Sequence, residues 1–350
     1  MTDPSPTSDD AAPRARKTIN LALQGGGSHG AYTWGVLDRL LEADCFDFEG
    51  VVGTSAGAMN AALLTYGLKT GGPAHARELM RAYWERMMKT ATFAPWPSFL
   101  DRMMGDDNMS NSPAFTISDA MTRIFSPYQM NPTGFNPIEP IINDLIDFEA
   151  LQRIDADPQL FLCATNVRTS RAKVFQREEL TADAVLASAC LPFMNQAVEI
   201  DGEYYWDGGY MGNPPLYPIF YHCECRDLLI VQIIPVNIDS VPTTASEIFD
   251  RITSLSFNSS LMREMRVVNF ITELLRDGYD DGGRLREVFI HTIDAEETMK
   301  HLSAASQANL DRAYIQRLFE LGREKADQFI AQHFDQVGVE SSTDIREKFM

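Results

Sequence analysis

The sequence predicts an α/β layered domain built on a mostly parallel sheet, and three observations lead there. Nearly continuous apolar runs of strand length recur along its 350 residues, as suits strands buried on both faces. Helix-patterned segments alternate with these runs, the signature of βαβ units. Glycine clusters stand at two of the strand-to-helix junctions, where a tight turn is needed.

Taken in order, the first strand is "TINLAL", from Thr18. "QGGGSHG" follows, and then "AYTWGVLDRLLEA", in which Trp34, Leu37, Leu40 and Leu41 share one helical face. "FEGVVG", from Phe48, is the second strand, and "AGAMNAALLTYG" the second helix, closed by Gly67. "LFLCATNV" from Leu160, "DLLIVQIIP" from Asp227 and "EVFIHTI" from Glu287 read as further strands, with "ADAVLASAC" a short helix after the first of them. Residues 245–280 and 303–335 read as amphipathic helices, either packing elements or a homodimer surface.

Residues 80–135 break the alternation and hold eight of the 16 methionines, together with Trp84, Phe93, Trp96 and Phe99. Unbranched, Met-rich surfaces adapt to irregular partners such as acyl chains. This stretch therefore reads as a helical insertion packed on the core or as a lid over a substrate. The expected organisation is a disordered tail over 1–17, a main domain over 18–240, C-terminal helices with one further strand on the same domain over 241–338, and a tail over 339–350.

The net charge of -19 argues against nucleic acid, which demands clustered Lys and Arg. It also leaves any lipid contact to apolar side chains rather than to overall charge. Five cysteines without a framework spacing read as free thiols in a reducing compartment. The acidic, Pro-rich N-terminus lacks the basic start and apolar stretch of a signal peptide, and no apolar run is long enough to span a bilayer. The expected location is the cytoplasm, with contact limited to the inner face of a membrane. His222, Cys223 and Cys225 form an H-C-x-C cluster, but no second Cys/His pair lies nearby at zinc-like spacing. Neither a metal nor a cofactor is expected.

Chemistry concentrates at two turns. In Gly53-Thr54-Ser55-Ala56-Gly57, Ser55 stands between a strand end and a helix start, and the flanking glycines permit the strained turn of a nucleophile elbow. The helix start offers free N–H groups and a positive dipole end for a developing oxyanion, with Ala56 N–H one natural donor. Gly25-Gly26-Gly27-Ser28-His29-Gly30 satisfies a dinucleotide fingerprint formally. The acidic residue expected about 20 positions on is missing, however, and the second strand ends instead in the Gly53 turn. An oxyanion loop beside Ser55 explains both glycine clusters; a nucleotide loop explains one.

A nucleophilic serine needs a base. His291 and His301 follow in the order an ordinary α/β-hydrolase would use, but His291 lies inside a strand-like run and His301 opens a helical stretch. Asp207 is the better candidate. "EIDGEYYWDGG" reads as a hairpin and its exit, which sets Asp207 at a strand end before Gly208-Gly209.

The ordered set Gly25 to Gly30, Gly53 to Gly57, Ala187-Ser188-Ala189-Cys190-Leu191-Pro192, and Asp207-Gly208-Gly209 with Asn213-Pro214 resembles the patatin-like phospholipase family over roughly residues 18–235. The resemblance implies a three-layer α/β/α fold and a Ser-Asp dyad without histidine. Ser55 would be the nucleophile, Asp207 its base, and Gly25, Gly26 and Gly27 the oxyanion loop. The implied activity is serine-dependent hydrolysis of phospholipid or related acyl esters, of the phospholipase A or lysophospholipase kind, without a cofactor. The alternative is a non-catalytic lipid- or partner-binding protein that keeps the fold. One departure stands out: many relatives carry Arg or Lys where this chain has His29, which can steady the loop only by an N–H bond or when protonated. A carboxylate is a weak base, with a reference pKa of about 3.9. Asp207 is therefore expected to be substantially buried, to have a raised pKa, and to lie within hydrogen-bond reach of Ser55.

Overall fold

The computed structural model describes residues 15–92, 121, 122, 124–280 and 282–350. Its eight strands form one sheet: β1 (Lys17–Leu23), β2 (Phe46–Thr54), β3 (Gln159–Asn166), β4 (Ala172–Phe175), β5 (Val198–Ile200), β6 (Glu203–Asp207), β7 (Asp227–Gln232) and β8 (Phe289–Asp294). The strand order is β5-β6-β3-β2-β1-β7-β8, with β4 also paired to β3. β3, β2, β1, β7 and β8 run parallel, while β6 and β4 pair antiparallel to β3.

Alternate residues of the parallel strands feed two separate cores, which is why these strands read as unbroken apolar runs. On one face Leu21, Leu23, Val51, Leu162 and Val231 pack beneath α1 (Gly30–Ala43), α2 (Ala56–Thr92), α3 (Ile138–Leu145) and α4 (Ala182–Ser188). Ala22, Val52, Phe161 and Ile230 point to the other face, under α5 (Tyr217–His222) and α6 (Ala245–Arg276). α7 (Arg312–His333) returns to the first face through Tyr314, Ile315 and Leu318. The result is the three-layer α/β/α arrangement.

α2 is broken at Gly72, whose φ of 75° and following Pro73 end one helix and start the next. Its second half carries Met80, Trp84 and Met88 into the first core. Residues 93–120, the centre of the Met-rich segment, lie outside the described residues, as do residues 1–14 of the expected tail. Residues 339–350 differ from the expected tail. Ser341 Oγ accepts from Ile290 N–H, and α8 (Ile345–Phe349) buries Ile345 and Phe349 in the second core. Two apolar residues four apart on a five-residue helix are too few to give a readable period.

The registers bring the two glycine-bearing turns and Asp207 together. Leu23 pairs with Gly53, Thr54 with Cys163, and Ala164 with Asp207, so the ends of β1, β2 and β6 lie side by side at one edge of the sheet. Beyond β1 the chain builds outward through β2 and β3, then crosses to β7 on the other side. The crevice outside the carboxyl ends of the strands at such a reversal is the usual place for a site.

Candidate active site

Ser55 sits between β2 and α2 with φ of 56°, a left-handed backbone that a non-glycine residue adopts only under constraint. Three contacts supply the constraint. Ser55 N–H donates to Ser188 Oγ (3.0 Å), Thr54 Oγ1 donates to Gly212 O (2.7 Å), and Ser55 O accepts from Ala58 and Met59 as α2 begins. Among the described residues the N–H groups of Ala56 and Gly57 donate to no protein atom, as the first turn of a helix leaves them.

The glycine loop lies against this turn. A side chain at Gly25 would stand 2.6 Å from Ser55 Cβ and 2.7 Å from Thr54 O, so only glycine lets the two loops approach. Asn213 clamps that approach: its Oδ1 accepts from Gly25 N–H at 2.7 Å, and its Nδ2 faces Gly25 O at 3.4 Å. This corrects one expectation. Gly25 N–H is already spent on Asn213 and is not a free oxyanion donor, whereas the N–H groups of Gly26 and Gly27 donate to no protein atom among the described residues.

Gln24, at the root of the loop, accepts from Ile233 and Ile234 N–H (both 2.8 Å) and donates to Asn258 Oδ1 (3.0 Å), which ties the loop to β7 and α6. The outer side of the loop is covered. Ser28 Oγ donates to Ser306 O (2.9 Å), and His29 Nε2 lies 2.8 Å from Ser306 Oγ. Since Ser306 Oγ itself donates to Ser303 O, His29 is the donor in that bond. Burial pushes the His29 pKa down to about 4, so the ring is neutral and pins the loop by one hydrogen bond rather than by charge.

Asp207 ends β6 and is fully buried. Its N–H donates to Cys190 O (2.7 Å), its O accepts from Thr165 Oγ1 (2.8 Å), and its Oδ1 accepts from Gly209 N–H (2.7 Å). Burial pushes the carboxyl up to about 7, and bonding to Gly209 N–H and the Ser55 hydroxyl holds it back only in part. The Ser55 contact falls short of full hydrogen-bond geometry, since Oδ2 is buried with no partner. Asp207 and the Ser55 hydroxyl are therefore in contact without a full hydrogen bond. What stands beside Ser55 is a buried acceptor with a free lone pair, an expensive feature outside a functional site.

The remaining candidates fall elsewhere. His291 donates through Nε2 to Asp227 Oδ1 (3.0 Å) and accepts at Nδ1 from Ser342 (2.8 Å to Oγ), at the opposite edge of the sheet. His301 lies in a turn after the short helix Glu296–Met299. Cys225 Sγ donates to Thr18 O (3.1 Å), and among the described residues no three His, Cys, Asp or Glu side chains gather as metal ligands. A cavity of about 460 Å³ also belongs to the opposite edge, between Phe46, Asp157 and Pro158, and holds none of the site residues. No helix among the described residues is long and apolar enough to cross a membrane. Ser188 and Asn213 are the residues whose roles sequence reasoning missed. Both lie inside motifs that single them out, but a polar side chain's partner depends on three-dimensional placement.

Comparison with known proteins gives distant structural likenesses and one family match. VipD from Legionella pneumophila is similar at 13% identity and a TM-score of 0.45, over 96% of this chain and 73% of that one. The type III effector protein ExoU is similar at 17% identity and a TM-score of 0.35, over 91% of this chain and 54% of that one. ExoU of Pseudomonas aeruginosa in its heterodimeric complex with SpcU gives 16% identity and a TM-score of 0.33, over 90% of this chain and 53% of that one. The chain thus spans about half the length of ExoU. No curated protein matches it. A family model described as Patatin-like phospholipase matches residues 21–220, more than half of the chain and both Ser55 and Asp207, and the chain belongs to that family.

Proposed function

We propose that the protein hydrolyses carboxylic esters of phospholipids or related lipids through a Ser55 acyl-enzyme, with Asp207 as the base. The observation that carries this reading is the buried, unpartnered Oδ2 of Asp207 beside a serine held in a left-handed turn. In the first half-reaction Ser55 Oγ attacks the ester carbonyl and its proton passes to Asp207 Oδ2. The N–H groups of Gly26, Gly27 and Ala56 receive the oxyanion. The leaving alcohol takes the proton from Asp207 and departs, leaving the acyl group on Ser55. Water then gives a proton to Asp207 and attacks the acyl carbonyl, and Ser55 Oγ takes that proton from Asp207 as the fatty acid leaves. A carboxyl near 7 is half-ionised at neutral pH, which makes it a stronger base than an exposed aspartate and a serviceable acid for the leaving group.

Apolar surface near the site supports a lipid substrate. Phe193 and Met194, which follow Cys190, and Met211, which follows Asp207 by four residues, are each at least 40% exposed on the loops that hold Asp207. Such side chains suit an acyl chain and have no evident packing role. The test is hydrolysis of a short-chain p-nitrophenyl ester and of lysophosphatidylcholine by the native chain and Ser55→Ala. Turnover of both by the native chain alone supports the reading; no turnover by well-folded native protein, with or without detergent, overturns it.

A further inference from the structure

The outer side of α6 carries a feature that the site does not explain. Ile248, Ile252, Leu255, Arg263, Arg266 and Phe270, with Ser259 between, follow one another at intervals of three or four residues. They form a single stripe roughly 33 Å long at the rise of an α-helix. The four apolar members are 44–60% exposed, and both arginines are exposed with no ion pair among the described residues. The opposite side of the helix, through Leu261, Met265 and Val268, is buried in the second core.

Charge distinguishes this stripe from an ordinary solvated face. The protein carries -19 overall, yet from Ile248 to Phe270 α6 holds three arginines against two carboxylates, Asp250 near its start and Glu264. Glu264 Oε2 is turned inward to accept from Leu216 and Tyr217 N–H. An acidic protein thus presents one helix face that is apolar and locally cationic. That combination fits an interfacial helix on an anionic bilayer, where isoleucine, leucine and phenylalanine enter the acyl boundary and arginine meets lipid phosphate. A second copy of the chain fits less well, because a two-fold contact centred on the stripe would bury Arg263 and Arg266 against the apolar end of the other copy's stripe with no carboxylate to pair them.

The same helix backs the site. Phe257 packs edge-on against Tyr210 at 5.2 Å, Asn258 holds Gln24, and Ser260 Oγ accepts from Asn213 N–H at 3.1 Å. We infer that α6 docks the protein on anionic lipid membranes through its Ile248-to-Phe270 stripe, which sets the Ser55 site about one helix diameter, ~10 Å, from the lipid surface. The inference rests on the lipid-hydrolase reading for its purpose, but its test does not use activity.

The experiment is co-sedimentation of full-length Ser55→Ala protein with vesicles of phosphatidylcholine alone or of equal parts phosphatidylcholine and phosphatidylserine. The background variant keeps the lipid from being consumed. Binding is expected to the anionic vesicles, reduced about 30-fold by Arg263→Ala with Arg266→Ala, at roughly 1 kcal/mol per basic residue. Ile252→Ser with Leu255→Ser is expected to abolish it. All four positions are exposed, and unchanged thermal unfolding confirms that the variants fold. Failure to bind anionic vesicles, binding indifferent to all four substitutions, or a dimer in sedimentation that Ile252→Ser with Leu255→Ser dissociates would overturn the inference. Inactivity of the native enzyme on every ester would sink the hydrolase reading and leave these binding results standing.

Discussion

Two buried aspartates lie at opposite edges of the same sheet, and they are treated in opposite ways. Asp227, at the start of β7, has His291 Nε2 and Gly338 N–H on one oxygen, and Ser342 bonds the far nitrogen of His291. The order Ser–His–Asp is that of a hydrolase triad, yet Ser342 has no left-handed turn beneath it and its N–H is spent on His291 Nδ1. These bonds fasten the last residues of the chain to β7 and β8. Asp207 has no histidine, but it keeps one oxygen free beside a strained serine and a group of unused N–H donors. Residue types common in catalysis are thus satisfied and structural at one edge, and a less expected pair is left unsatisfied at the other. Unmet hydrogen-bonding capacity distinguishes the candidate site from the other edge better than residue identity does.

Substitutions at the two edges can break that contrast. The largest effect is expected from Ser55→Ala, which should lower kcat/KM on a soluble ester by about 10⁴-fold or more, because the acyl-enzyme is lost outright. Asp207→Asn should follow with a loss of about 10²- to 10⁴-fold, the usual contribution of a positioned base. The same variant sharpens the contrast through stability. The folded carboxyl titrates near 7 and the unfolded one near its ordinary value, so the unfolded chain ionises first. The burden that Asp207 places on the fold is therefore absent below about pH 4 and grows as pH rises toward about 7. The melting temperature of Asp207→Asn should thus gain on that of the native chain between about pH 5 and pH 8. An equal difference across that range would contradict the raised carboxyl.

Asn213→Ala removes the clamp on Gly25. It is expected to cost about 10- to 100-fold in kcat with KM little changed, since the oxyanion donors lose their alignment rather than their identity. His291→Ala should change ester turnover least, by less than about twofold, while unfolding in urea shows a loss of about 2 kcal/mol, because Asp227 keeps Gly338 N–H but loses the His291 bond. Loss of activity from His291→Ala at full stability would reverse the comparison.

Much of this was legible before the structure. The parallel strands were readable because burial on both faces leaves unbroken apolar runs, and the Ser55 turn because glycines must flank it. The antiparallel edge was read only as a hairpin at "EIDGEYYWDGG". That hairpin exists, as β5 and β6 joined at Asp201-Gly202, and it delivers Asp207 to the site at its exit. Partner choice was not legible. Nothing in the spacing says that Asn213 takes Gly25 N–H, that Ser188 holds Ser55, or that Ser306 caps His29, because each bond joins segments more than 130 residues apart.

The most direct test is the pH dependence of fluorophosphonate labelling, followed by intact mass and by peptide mapping of the adduct, on the native chain, Ser55→Ala and Asp207→Asn. One adduct on Ser55 is expected, forming at a rate that climbs through a single ionisation near pH 7 and levels off above it. Ser55→Ala should take no label, and Asp207→Asn should label slowly with no such ionisation. An adduct on Ser342, or a rate on Ser55 that is indifferent both to pH and to Asp207→Asn, would contradict the account.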